Sequence, residues 1–399
     1  MAARAAVAAG DGDGADRVHV VVAAAFGEVY GPSPIDDRLV CDTTPRRVAP
    51  APLAAAAVRP QGAPRRMPAM RTIARILIAL VTVSAVAYFG YMGMEGSHRL
   101  VNGYEPNADC RTPAQLGIAY EAINYDIATD DALAARESNM SDCTAPGAAP
   151  GDVLVSDDGV RLAGWYIPSA SGSGPGGPTV VLSHGWNDSK SGMLEDVPFF
   201  HDRYNLVLFD YRNHNQSADG QITQGIREQR DLAAVIDWLV ATKEPERIVV
   251  WGQSMGAHTA INVVADDPRV DALILDSVHA RVQVPMVNRI RSAGYPFGEV
   301  GFLAVVVGAW LRTGVNVLAD DPITAIDDLG SRPVLILHAG SDDTIPASDV
   351  EELRDTAMAA GVDTRLEVCA DAGHGGFNDE CPAELQRSID EFMELVMSG

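Results

Sequence analysis

A serine, a carboxylate and a histidine, each beside glycine or in a turn-forming stretch, follow one another through the second half of this 399-residue chain. Ser254 lies in Trp251-Gly252-Gln253-Ser254-Met255-Gly256, a Gly-x-Ser-x-Gly pattern. Asp342 and Asp343 lie in His338-Ala339-Gly340-Ser341-Asp342-Asp343-Thr344-Ile345-Pro346, and His374 in Asp371-Ala372-Gly373-His374-Gly375-Gly376. A serine hydroxyl is a weak nucleophile at neutral pH. It attacks a carbonyl carbon when an imidazole takes its proton and a carboxylate orients that imidazole. The order serine, acid, histidine is one in which this chemistry is found, with each group just past the carboxyl end of a strand. The tetrahedral intermediate also needs N–H donors for its oxyanion, one being the backbone N–H after the nucleophile, here Met255.

These residues need elements to hold them. Before Ser254 the β-branched run 247–250 reads as a buried strand, and 257–264 reads as the start of a helix. The serine thus occupies a strand-to-helix turn too tight for a Cβ on either flank. Short apolar runs at 179–183, 206–209, 272–275, 334–337 and 364–369 read as further strands. They alternate with helical patterns at 224–241, 347–360 and 382–397, and a hairpin is expected where 152–155 and 161–167 flank Ser156-Asp157-Asp158-Gly159. Strands of this length alternating with helices predict a mostly parallel sheet covered on both faces. Residues 277–329 interrupt the alternation and carry the apolar stretch 300–311. They are read as a small helical cap, with a membrane-skimming helix as the alternative, because the uncharged part is too short to span a bilayer.

With these elements in place, the chain from Thr112 onward resembles the α/β-hydrolase superfamily, nearest to exported or membrane-anchored serine hydrolases of the prolyl-oligopeptidase-like and BEM46-like kind. The resemblance rests on Asp158-Gly159 with Leu162-Ala163-Gly164-Trp165-Tyr166, on Ser183-His184-Gly185-Trp186, on Phe209-Asp210-Tyr211-Arg212, on the serine turn, and on the acid and histidine loops. An insertion falls near 127–152. The resemblance implies an α/β-hydrolase fold and an acyl-enzyme on Ser254, with His374 as base and Asp342, four residues before Pro346, as orienting acid. Asp343 and Asp276 are the other acids the residues leave open. It also implies that the second oxyanion donor comes from Trp186 in the loop after an early strand. His184, His258 and His338 are expected in structural roles. Asn213 and Asn215 stand where the family pattern has glycine, so a differently shaped loop is expected there. The activity implied is hydrolysis of a carboxylic ester, thioester or amide. Alternatives are acyl transfer to an alcohol, a peptidase of prolyl-oligopeptidase type, and a catalytically silent binding module.

Composition sets the surroundings. The net charge is −24, but residues 1–75 carry ten Arg against seven acidic residues, so the remainder stands at −27. Such a body repels nucleic acid and anionic headgroups, which excludes nucleic acid as an expected partner. Residues 76–94 are uncharged and follow Arg65, Arg66, Arg71 and Arg75. This predicts a transmembrane anchor over 73–94 with the body on the far side of the membrane. A signal peptide cleaved after Ala85-Val86-Ala87 is the alternative. Residues 1–70 are expected to be a disordered tail or to precede the true start at Met67 or Met70. Residues 95–150 form a lead-in and 151–399 the hydrolase domain. The expected ligand is a small or lipid-like acyl compound, because the cap is apolar. Neither zinc-type spacing nor a phosphate-binding loop appears, so no cofactor or metal is expected. Four cysteines follow the anchor as two neighbouring pairs, and an oxidising compartment favours bridges Cys369–Cys381 and Cys110–Cys143. Peptide mapping without reduction is expected to recover Cys110 and Cys143 in one linked fragment, and free thiols at both would disprove that bridge.

Overall fold

The computed structural model describes residues 68–103, 111–123, 154–218 and 220–398. Cys110, Cys143 and the insertion near 127–152 lie outside the described residues, as does the tail before residue 68. Eight strands form one sheet: β1 (Glu121–Ile123), β2 (Gly164–Ile167), β3 (Thr179–Ser183), β4 (Asn205–Phe209), β5 (Ile248–Gln253), β6 (Ala272–Asp276), β7 (Val334–Ala339) and β8 (Thr364–Cys369). Their spatial order is β1-β2-β4-β3-β5-β6-β7-β8. β2 runs antiparallel to both neighbours, and the other pairings are parallel. The helices are α1 (Pro68–Tyr91), α2 (Ser97–Asn102), α3 (Glu228–Lys243), α4 (Met255–Asp266), α5 (Gln283–Ser292), α6 (Gly298–Thr313), α7 (Ala347–Ala359), α8 (Phe377–Glu380) and α9 (Pro382–Ser398).

β3, β4, β6 and β7 are buried along their whole length, which is why they read as unbroken apolar runs. The two-residue period divides them between two cores. Val250 joins α3, α4 and α7 on one face through Leu232, Ile261 and Leu353. Val249 and Trp251 face Phe200 and the Ile389 and Phe392 side chains of α9 on the other. The disulfide Cys369–Cys381 ties the end of β8 to the start of α9, with Cα atoms 6.0 Å apart.

Three details depart from the sequence reading. α3 begins at Glu228 and not at 224, because Gln224 and Gly225 have φ of 57° and 99°. The Glu228 carboxylate accepts the Thr223 and Gly225 N–H groups, both at 2.9 Å, and so closes that turn from inside the helix. The expected hairpin is a tighter turn, bridged at Val155 and Arg161, with the strand starting only at Gly164. Asn213 and Asn215 have φ of 60° and 38°, the region glycine would occupy, so the backbone there stays left-handed despite the change of residue.

A third core lies outside the sheet. α1 runs through a π-helical turn, Met92–Gly96, into α2, and this end packs on α5 and α6. Met92, Leu100 and Val101 meet Met286, Phe302, Val305 and Ala309. The helices touch backbone to backbone: a Cβ on Gly308 would strike the Gly93 carbonyl, and one on Gly93 would lie 3.2 Å from the Ala304 carbonyl oxygen. Small residues four apart on both helices, Gly93 and Ser97 against Ala304 and Gly308, permit this approach. Replacing Cys369 and Cys381 together by serine is expected to lower unfolding free energy by roughly 3 kcal/mol, read from urea midpoints of oxidised protein.

Candidate active site

Parallel register brings the carboxyl ends of five strands to one edge. Gly252 is opposite Ser183, Gln253 opposite Asp276, Asp276 opposite Leu337, and Ala339 opposite Cys369. The loops that leave these ends carry Gly185, Ser254, Ser277, Asp342 and His374. This is the crevice where ligands bind in open α/β sheets.

Ser254 sits at φ 52° and ψ −111°, a strained region for a residue with a side chain. Its neighbours impose it. A Cβ on Gly252 would lie 2.6 Å from the Ala257 Cα, and one on Gly256 would collide with the Ser183 carbonyl oxygen. The turn is clamped further by the Ser254 N–H donating to the Asp276 carbonyl at 2.9 Å.

His374 Nε2 lies 3.1 Å from Ser254 Oγ, and His374 Nδ1 lies 2.7 Å from Asp342 Oδ2. The other oxygen of Asp342 accepts the Thr344 and Ile345 N–H groups at 2.8 and 2.9 Å. Burial raises the pKa of this carboxyl, but the hydrogen bond and charge of His374 and the two backbone donors outweigh it. The net result is a pKa below the ordinary carboxylate value. The structure therefore brings Ser254, His374 and Asp342 together. Asp343 is exposed, and among the described residues it accepts a hydrogen bond from the neighbouring Thr344 hydroxyl and none from His374.

Asp276 supports the site from beneath. Its carboxylate accepts the Ser277 hydroxyl at 3.0 Å and the Gln253 amide at 3.3 Å, and burial pushes its pKa up. Ser277 in turn accepts the Gly375 N–H at 2.9 Å, so this chain of bonds ties the serine strand to the loop after His374. Nothing in the spacing of Ser277 marks it, because its importance comes from a partner 98 positions away. His184 is buried, with Nδ1 donating to the Gly185 carbonyl and Nε2 accepting the Tyr211 N–H; burial lowers its pKa to about 4. His258 is likewise lowered to about 4 by burial, and its Nε2 bonds the Asp320 carbonyl.

Trp186 and Met255 line one cavity with Ser254, about 420 Å³ in volume. Gly185 lies against the serine, its position for a Cβ being 3.4 Å from Ser254 Cβ. The Met255 N–H is in the first turn of α4, where no intrahelical acceptor exists for it. The cavity walls come from α5 (Met286, Ile290) and from the end of α1 and its continuation through the π-helical turn into α2 (Tyr91, Met92, Leu100), a contribution the sequence reading missed. That helix is apolar on every side, so its pattern cannot show which side meets protein. Polar side chains share this wall: Glu95, Arg99, Gln224 and Arg289 line it, and so does His279, whose pKa burial holds well below the ordinary imidazole value and whose Nδ1 has no hydrogen-bond partner among the described residues. On the other side of Ser254 and His374 a polar recess of about 260 Å³ opens, lined by Asp188, Glu195, Asp196, Gln253 and Asn378.

Comparison with known proteins agrees with this architecture. The family model described as Alpha/beta hydrolase family matches residues 180–387. The chain belongs to the alpha/beta hydrolase family. It is a hydrolase-fold enzyme similar to the uncharacterised protein Rv2307c of Mycobacterium tuberculosis, with 31% identity over 56% of this chain and 72% of that one. The uncharacterised protein YfhR of Escherichia coli is 27% identical over 63% of this chain and 80% of its own. Among solved structures, the esterase Pf2001 of Pyrococcus furiosus has the same fold, with a TM-score of 0.54 and 22% identity over 72% of this hydrolase and 94% of that chain.

The depressed pKa of Asp342 carries a pH dependence. Folding favours its ionised form, so its contribution to stability is complete above the unfolded value of about 3.9 and is lost as pH falls through the folded value. Denaturation midpoints measured between about pH 7 and about pH 3 are expected to fall at the acid end. Asp342→Asn is expected to flatten that limb.

Proposed function

We propose that this hydrolase cleaves a carboxylic ester through an acyl-enzyme on Ser254, with His374 as general base and Asp342 as its orienting acid. The observation that carries the reading is the pair of contacts of His374, 3.1 Å to the serine oxygen and 2.7 Å to the carboxylate. His374 Nε2 takes the proton of Ser254 as Oγ attacks the ester carbonyl, and the imidazolium that forms is stabilised by Asp342. The oxyanion is received by the N–H groups of Met255 and Trp186. His374 then returns the proton to the leaving alkoxide. In the second half-reaction it activates a water that releases the acid and restores Ser254. The apolar part of the cavity, formed by Met92, Leu100, Met286, Ile290 and Val305, suits the acyl group, and the polar recess suits the leaving alcohol and the incoming water.

The same reading places the enzyme on a membrane. Among the described residues one helix, 71–102, is long and apolar enough to cross a bilayer by length and composition. The 24 residues of α1 alone rise about 36 Å. The arginines before it put the catalytic body on the extracytoplasmic side, where an oxidising compartment suits the Cys369–Cys381 bridge.

A fluorophosphonate probe is expected to label the wild type and not Ser254→Ala. On p-nitrophenyl esters Ser254→Ala is expected to lose about a millionfold in kcat and Asp342→Asn about ten-thousandfold. Unchanged turnover in Ser254→Ala would disprove the mechanism.

A further inference from the structure

We propose that the outer face of α6, with the groove between α6 and α1, docks into the outer leaflet of the bilayer, and that Ser254 acts on a long-chain ester dissolved there. This rests on the membrane anchoring proposed above.

α6 is apolar on two sides. Phe302, Val305 and Ala309 point into the third core. On the opposite side Val300, Leu303, Val307, Trp310 and Leu311 are between 45% and 72% exposed. Their spacing of three or four residues makes one continuous stripe. A surface helix facing water carries a polar outer side, whereas one that is apolar all round needs cover from protein or lipid. Charges bound the stripe at its ends. Arg291 pairs with Glu299 at the start, and at the finish Arg312 reaches back to the Met94 carbonyl and the Ser97 hydroxyl, at 3.0 and 2.9 Å.

The first helix decides the occupant. A groove of about 650 Å³ separates it from α6, lined by Phe89, Met94, Leu303, Val307 and Leu311 among others. Below that groove the exposed side chains from Ile73 to Val86 continue the same apolar surface along α1. A bilayer around α1 brings its lipid–water boundary to the outer end of that helix, where α6 crosses it at Gly93 and Gly308. Acyl chains of the outer leaflet are therefore the partner that reaches both helices at once. Tyr91, Met92 and Leu100, from the same helix end, line the cavity that contains Ser254. Groove and cavity thus share two walls, the first helix and α6, whose Val305 faces the cavity and whose Leu303 and Val307 face the groove.

The test uses full-length protein reconstituted in phosphatidylcholine vesicles whose acyl chains carry bromine, a short-range quencher of tryptophan fluorescence. Wild type is expected to lose a component of its emission that Trp310→Phe lacks. Equal quenching in both proteins would overturn the proposal, including the case in which a second copy of the chain shields Trp310. A second measurement uses Leu303→Gln/Leu311→Gln, which alters neither the triad nor the cavity wall. It is expected to hydrolyse a long-chain umbelliferyl ester dissolved in the vesicles about tenfold more slowly than wild type. Its hydrolysis of p-nitrophenyl butyrate in water is expected to be unchanged. Wild-type rates on the vesicle ester would count against docking. Failure of wild type on butyrate would sink the hydrolase reading alone, and release by alkaline extraction would sink the anchor, so the readings fail separately.

Discussion

The strained turn at Ser254 is the constraint on which the rest of the site depends. A side chain at φ 52° and ψ −111° persists only when its surroundings over-determine it. Here the surroundings are the sheet itself. Gly256 lies so close to the Ser183 carbonyl that no Cβ fits, and the serine N–H is held by the carbonyl of Asp276 on the next strand. The cost of order 1–3 kcal/mol for such a conformation is met by burial of β3, β5 and β6 on both faces. In return the hydroxyl is presented at the sheet edge, within 3.1 Å of the imidazole and beside the first free N–H of α4.

The histidine side is braced differently. Its loop is glycine-rich, and the ties that hold it include the Asp342 carboxylate, the Ser277 hydroxyl on the Gly375 N–H, the Ser341 N–H and hydroxyl on the Ala372 and Ala370 carbonyls, and the disulfide from Cys369 to Cys381. The ties of Asp342, Ser277 and Ser341 originate just past the ends of β6 and β7, and the disulfide spans from the end of β8 to the residue before α9. In the proposed mechanism the base alternates between taking and giving a proton, and a fixed ring plane favours that. Asp342, buried and ionised, supplies the orientation that solvent around an exposed loop could not.

The cap and the first helix make a single apolar unit standing on the sheet edge. Close contact between Gly93 and Gly308 lets the two helices share one core, so the cavity beside Ser254 takes part of its wall from the end of the long apolar helix. On the proposed reading, location and specificity are not separable in this hydrolase. The residues that would hold it at a bilayer are continuous with those that surround the reacting serine.

Much of this was legible in the sequence. Strands β3 and β8 were readable to the residue, because fully apolar or alternating runs between turn residues have few other conformations available. The turn around Ser254 was readable because its glycines are a local steric requirement. Asp342 and His374 were readable as candidates because each follows a strand end. What the sequence could not decide is what depends on distant partners. It left Asp342, Asp343 and Asp276 open, and only the fold turns Asp342 to His374 while pairing Asp276 with Ser277 and Gln253. It showed α1 and α6 as apolar, but uniform apolarity has no phase, so only tertiary packing distinguishes the side that lines the cavity from the side left bare. Local sterics and periodicity determined the elements and the kind of chemistry. Contacts between residues far apart in the chain decided which carboxylate serves the histidine and which helix shapes the pocket.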